Sequence, residues 1–369
     1  MEIPDNLAFK IALSLIPGIG SVTARSLIAY VGSVEGVFQE NEKNLMKIPG
    51  IGEIIAQRVV RQDVLERAKL ETDFILKNQI QTFFYLDEDY PARLKNCSDA
   101  PIVLYYKGNA NLNEKRVVSV VGTRNATNYG KECCDELIRS FSEKNYEVLV
   151  VSGLAYGIDV QTHKACLRYQ VPTVGVFAHG LDEVYPAIHS QVASKMLENG
   201  GLITDFISET KIERQNFLRR NRIIAGLADA IVIVESAEKG GALVTADIAN
   251  SYNRDVFAYP GRSTDLFSRG CNKLIKMNEA VLIENLADLE KAMNWDVKSG
   301  PERAVQTSLF VEISSEEQKL VDLLKPCDRF VDEITMETQM PVSKVSALLL
   351  GLEFKGLVVS LPGKMYRLK

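Results

Sequence analysis

A surplus of positive charge is missing from this chain. Its 369 residues carry 43 Lys and Arg against 48 Asp and Glu, a formal net charge of −5. That argues against a surface coated for duplex DNA, so any anion site must be a local concentration of cations. The balance holds by segment: 9 basic to 10 acidic groups over 1–80, 8 to 9 over 311–369, and 26 to 29 between. Cysteine is also sparse. The six present (Cys97, Cys133, Cys134, Cys166, Cys271, Cys327) form no CxxC and no even framework. They read as reduced thiols of a cytoplasmic protein, several of them filling a core. The three histidines have no zinc-ligand spacing with them, so no structural metal is expected. No secretory signal and no apolar run of transmembrane length stands out, so no membrane partner is expected.

Familiar catalytic motifs are absent too. There is no GxxxxGK[ST], no GxGxxG after a strand pattern, no GxSxG elbow and no HExxH. These absences leave most motif-defined enzyme classes unsupported. No catalytic residue and no cofactor is expected.

What is present divides into three patterns. Residues 1–80 have apolar residues at helical spacing, and "IPGIG" occurs twice, at Ile16–Gly20 and Ile48–Gly52, 32 residues apart. Each copy precedes an apolar helix pattern, so the pair reads as a repeated helix-hairpin-helix (SAM-like) unit. Such a turn can offer backbone N–H groups to a phosphate, or serve only as a corner. The balanced charge of 1–80 favours an accessory or structural part, whose deletion is expected to leave the main site largely intact.

Residues 81–295 alternate short β-branched runs with amphipathic stretches. The runs are 116–122, 147–153, 173–178, 201–206, 230–236, 255–261 and 280–284. Strands this apolar, alternating with helices, predict an α/β domain with a parallel sheet covered on both faces. Residues 296–312 lose periodicity and read as a linker. Residues 313–369 predict three short helices and a strand pair with Pro-Gly at its tip, a winged-helix domain.

In an open α/β sheet, ligands sit beyond the carboxyl ends of the strands. There the chain places three glycine-bearing corners: Gly122, Thr123 and Arg124 in "VVGTR"; Ser152 and Gly153 in "VVSGLAYGID"; Gly240 and Gly241 in "EKGGALV". Corners that lead into helix N-termini offer free N–H groups and a positive dipole end. The densest basic cluster precedes the fifth predicted strand: Lys211, Arg214, Arg219, Arg220 and Arg222, with Phe217 and Asn221 among them. Arginine forks suit phosphates, and Phe217 could stack on a base or belong to the core. Each corner taken singly could be only a turn, and the arginines only a solvated helix face. His163 reads as a satisfied histidine rather than a ligand.

The middle region resembles the DprA/Smf family of DNA-processing proteins. The resemblance rests on "VVGTRNATNYG", "VVSGLAYGIDVQTHKACL", "HGLDEVYP", "NFLRRNRIIAGLADAIVIVESAEKGGALVTADIA", "DVFAYPG" and "RGCNKLI", in that order over about residues 80–290. It implies an extended Rossmann-like core that binds single-stranded DNA, dimerises, and loads the recombinase RecA during natural transformation while displacing single-strand-binding protein. Arg124 then falls in the DNA pocket, with Ser152, Gly153 and the stretch Lys211–Arg222 at related positions. Two departures stand out: Tyr156 replaces a common arginine, and "ISETKIERQNF" lacks a proline-rich loop. A second reading uses the same rim as a nucleotide-phosphate enzyme, with Asp159 or Glu235 as acid or base, although Asp159 also suits a helix N-cap.

Overall fold

The computed structural model describes residues 5–295, 313–361 and 363–369. The expected linker 296–312, and Pro362 of the expected Pro-Gly tip, lie outside the described residues.

The first 80 residues form helices Asp5–Leu15, Ser21–Val31, Val34–Gln39, Glu42–Leu45, Glu53–Arg61 and Leu65–Lys77. Both IPGIG copies make the same turn. Ile19 N–H donates to the Ile16 carbonyl and Ile51 N–H to that of Ile48, each at 3.0 Å. Gly18 and Gly50 take φ of +86° and +83°, where a side chain would be strained. The isoleucines point into the core while Pro17, Gly18, Pro49 and Gly50 face outward. The copies differ in their surroundings: Arg58, from the helix after the second, donates to the Pro17 carbonyl of the first at 2.7 Å.

The helical unit shares its apolar core with the sheet beside it. Leu13, Leu27, Val37, Leu45 and Val59 continue into Phe84, Ile102, Val103 and Tyr105. Polar ties reinforce the contact: Arg67 Nη2 donates to the Ser208 carbonyl at 2.6 Å, and the Ser208 N–H donates to Glu71.

The central sheet has nine strands: β1 Gln81–Phe84, β2 Val103–Gly108, β3 Val117–Val121, β4 Leu149–Ser152, β5 Thr173–Val176, β6 Gly200–Thr204, β7 Ala230–Ile233, β8 Asp255–Ala258 and β9 Val281–Leu282. Their order is β1-β2-β6-β5-β4-β3-β7-β8-β9. From β6 to β9 every pairing is parallel, whereas β1–β2 and β2–β6 are antiparallel. The antiparallel strands β1 and β2, absent from the seven predicted runs, correct the expectation of a parallel sheet on this side. Their pattern conceals their direction. On β2, Leu104 and Tyr106 enter the main core, while Val103 and Tyr105 enter the helical one. A strand buried on both faces reads as an unbroken apolar run, without the alternation that marks an antiparallel edge.

Helices Asn128–Glu143, Ile158–Tyr169 and Leu286–Ala292 pack on one face around Val118, Val120, Leu137 and Phe141. Helices Arg214–Leu227, Gly241–Ser251 and Arg269–Lys276 cover the other around Val121, Ile223, Ile231 and Cys271. Five cysteines are buried and Cys327 is exposed. At the amino ends of the strands, Arg116 lies against the rings of Tyr146 and Trp295, 4.7 and 5.4 Å from their centroids.

The C-terminal unit has helices Ser315–Leu324, Val331–Thr338 and Val342–Phe354 and strands β10 Arg329–Phe330, β11 Val358–Leu361 and β12 Met365–Leu368. Ser314 and Glu317 form a reciprocal capping box at its start. Leu320, Ile334, Val345, Leu349 and Leu352 form its core, a winged-helix arrangement. No helix among the described residues is long and apolar enough to cross a membrane.

Candidate nucleic-acid interface

The strand order reverses direction at β3. The connections after β3 run toward β4, β5 and β6 on one side, and the chain returns to β7 on the other. A crevice at such a switch point, beyond the carboxyl ends, is where α/β sheets bind ligands. A cavity of about 430 Å³ opens there, lined by the corner after β3, the helix Arg214–Leu227 and the start of the helix Gly241–Ser251.

The structure brings eight of the expected residues together in this cavity: Gly122, Thr123, Arg124, Phe217, Arg220, Asn221, Gly240 and Gly241. Five others lie elsewhere. Ser152 is buried, and its hydroxyl donates to the Val120 carbonyl at 2.6 Å. Gly153 is also interior. Lys211 is exposed on the approach loop, where its carbonyl accepts from Asn216. Arg219 and Arg222 turn away and share the Asp205 carboxylate at 3.2 and 2.5 Å.

Helical periodicity accounts for this sorting. Arg214, Phe217, Leu218, Asn221 and Ile224 recur at spacings of three and four and face the cavity. Arg219 and Arg222 fall on another side of the same helix. Arg214, part of the expected basic cluster, joins the cavity wall through its three-residue spacing to Phe217.

Close approach, more than phosphate access, explains two of the glycines. A Cβ on Gly122 would lie 2.5 Å from Ile158 Cγ1. One on Gly153 would fall against Asp159 Oδ2 and lie 2.6 and 2.7 Å from the two terminal nitrogens of Arg220. By contrast a Cβ on Gly241 would meet nothing within 4 Å. The helix it begins has Gly240 as its N-cap with no side-chain cap, so its first N–H groups face the cavity unclaimed by side chains.

Charge is distributed unevenly around the wall. Arg220 is buried and donates to the Val176 carbonyl, and burial pushes its guanidinium down to about 10 despite Asp159 nearby. Burial raises Asp159, and Arg220 opposes the rise. The two offset each other at the cavity base. Arg124 and Arg214 are exposed and form no ion pair among the described residues. Arg124 lies 5.2 Å over the Phe217 ring, which in turn sits 6.0 Å from Tyr185. The mouth thus offers two guanidinium groups outside any ion pair, an aromatic face and a helix N-terminus without a side-chain cap.

The groups weighed as acid or base are otherwise engaged. Glu235 accepts from Thr127 N–H at 2.9 Å and from its hydroxyl at 2.5 Å, tying the start of the helix Asn128–Glu143 to the end of β7. Asp159 sits in the first turn of the helix Ile158–Tyr169, whose N-cap is Gly157, so it is not the cap itself. His163 is buried: Nε2 lies 2.6 Å from the Gly153 carbonyl and Nδ1 2.8 Å from the Thr173 hydroxyl. Burial lowers it to about 4, so the ring is neutral.

Fold and site together define an α/β protein with a phosphate-suited crevice at its switch point, flanked by a helix-hairpin-helix pair and a winged helix. Models of known families match all three parts: a SAM-like helix-hairpin-helix tandem at 9–62, DNA recombination-mediator protein A at 81–294, and the DprA winged-helix domain at 302–364. The chain belongs to the DprA/Smf family of DNA recombination mediators. Protein Smf of Synechocystis is 30% identical over 98% of both chains. DNA processing protein DprA of Bacillus subtilis is 37% identical over 62% of this chain and 73% of its own. Among solved structures, DNA processing protein A from Streptococcus pneumoniae has a TM-score of 0.67 at 29% identity, covering 77% of this chain and 97% of its own. That from Helicobacter pylori, described for its single-stranded DNA binding mode, has 0.53 at 26%, covering 59% and 97%.

Proposed function

We propose that this chain binds single-stranded DNA without sequence preference in the switch-point cavity and loads RecA onto it, acting as a homodimer in the cytoplasm during natural transformation. The observation that carries the reading is the cavity mouth, where two arginines outside any ion pair and the Phe217 face adjoin a helix N-terminus without a side-chain cap. Arginines and N–H groups recognise phosphates, and an aromatic face stacks on any base; neither reads sequence. A loader of arbitrary incoming strands requires that indifference. Duplex DNA conceals its base faces, so a narrow recess of this kind selects single strands. Family membership supports the assignment, as does the single-stranded DNA binding described for the Helicobacter pylori relative. The engagement of Glu235 with Thr127 weighs against the nucleotide-enzyme reading, because it removes one candidate base.

Fluorescence anisotropy of labelled oligo-dT against duplex, with Arg124→Ala alongside, tests the binding. Preference for the single strand, weakened in the variant, is expected; equal affinity for duplex would refute the site. RecA-mediated strand exchange on DNA precoated with single-strand-binding protein tests the loading. Stimulation is expected, and its absence would leave a DNA binder without the loading role.

A further inference from the structure

We propose that a bound strand does not end in the switch-point cavity but crosses Arg124 into a second recess, where Tyr156 stacks a base and Lys131 and Lys164 hold phosphates. The proposal rests on the reading of the cavity as a single-strand site. Arg124 lines both spaces, so one guanidinium separates and joins them. The second recess measures about 360 Å³, and its wall contains Arg124, Lys131 and Lys164 but no carboxylate. In a chain of net charge −5 that segregation favours a polyanion over a neutral or cationic ligand. Lys131 lies in the first turn of the helix Asn128–Glu143, and Lys164 shares a face of the helix Ile158–Tyr169 with Val160 and Gln161. Both lysines are exposed, and neither forms an ion pair among the described residues.

The aromatic partner is held in place. Tyr156 is 48% exposed, and its ring meets that of His189 edge-on, with centroids 5.1 Å apart and planes at 66°. His189 is buried and fixed by Nδ1, 2.9 Å from the Leu154 carbonyl. An edge contact of this kind orients the tyrosine and leaves a ring face open. Phe217 on one side of Arg124 and Tyr156 on the other therefore provide two platforms with a phosphate-binding group between them, the combination that single-strand grooves use.

The test measures dT20 binding by anisotropy across a salt series, with two sets of variants. In the cavity these are Phe217→Ala and Arg214→Ala; in the second recess, Tyr156→Ala, Tyr156→Phe and the double substitution Lys131→Gln with Lys164→Gln. Tyr156→Ala is expected to weaken binding about 5- to 150-fold, the range for one lost stack, while Tyr156→Phe retains it. The lysine pair should lower the magnitude of the log–log salt slope by about 1.4, or 0.7 per phosphate. A dT20 with abasic sites should be insensitive to Tyr156→Ala yet still sense the lysines. Recess variants that match wild type while the cavity variants weaken would overturn this inference and leave the cavity reading standing. Cavity variants without effect would overturn both.

Discussion

If the cavity holds a single strand as proposed, the cations on its wall set the salt dependence of binding. Three arginines line the wall, but Arg220 is offset by Asp159 at the base. Arg124 and Arg214 remain. Each phosphate on a single strand contributes about −0.7 to the slope of log affinity against log salt. Two contacts give about −1.4, so a rise from 50 to 200 mM weakens binding about 7-fold. Adding Lys131 and Lys164 gives about −2.8 and roughly 50-fold. Arg124→Ala should lower the magnitude of the slope by about 0.7. A second effect opposes the loss. In the free protein Arg124 lies over Phe217, and a base can occupy that face only after the arginine moves. An exposed cation–π contact is worth about 0.5–1 kcal/mol, so its removal restores a few-fold in affinity at every salt concentration. The variant should therefore bind less tightly than wild type at low salt and converge with it at high salt. Phe217→Ala should instead lower affinity by about 1–3 kcal/mol with a parallel slope. Anisotropy titrations of oligo-dT at four or five salt concentrations measure both quantities. An unchanged slope for Arg124→Ala, or a slope change for Phe217→Ala as large as an arginine's, would refute the division of roles.

Three further outcomes follow from the packing. Gly153→Ala should destabilise the fold by about 1–3 kcal/mol, since its methyl would enter the space between Asp159 and Arg220; a urea midpoint equal to wild type would count against that close approach. His163 is held near 4 by burial, below the ordinary histidine value near 6.5, so the unfolded chain takes up its proton first. Its stabilising contribution is complete above about pH 6.5 and is lost as pH falls toward 4, up to about 3 kcal/mol; His163→Gln should flatten that part of the stability profile, and an identical profile would refute the assignment. Deleting residues 1–80 should lower the melting temperature and increase binding of a hydrophobic dye, because Phe84, Ile102, Val103 and Tyr105 lose their cover; a truncated protein as stable as the full chain would contradict the shared core.

That last expectation revises the sequence reading, in which the helical unit was separable. Periodicity exposed the helices and the repeated turn, but could not show that Val103 and Tyr105 face a different core from Leu104 and Tyr106. The parallel strands were legible because each is a short β-branched run before a glycine corner. The corners themselves were recognised for their location and only in part for their role. Gly153 is glycine because a buried Asp–Arg pair lies against it, a contact across the sheet that no local pattern records. The basic stretch was visible as composition. Its division into cavity-facing Arg214 and outward Arg219 and Arg222 follows from helical spacing combined with the position of Asp205, and only the first was available from sequence. Arg220 lines the cavity, but its burial beside Asp159 is invisible in a charge count.

The contact of Arg116 with Trp295 bears on how the molecule can be handled. Arg116 precedes β3, whose far end leads to Arg124, so Trp295 marks the pole of the sheet remote from the cavity mouth. Attaching the protein to a sensor chip or bead through a residue at that pole would thus turn the opening toward the bulk liquid, free to receive long strands and large assemblies.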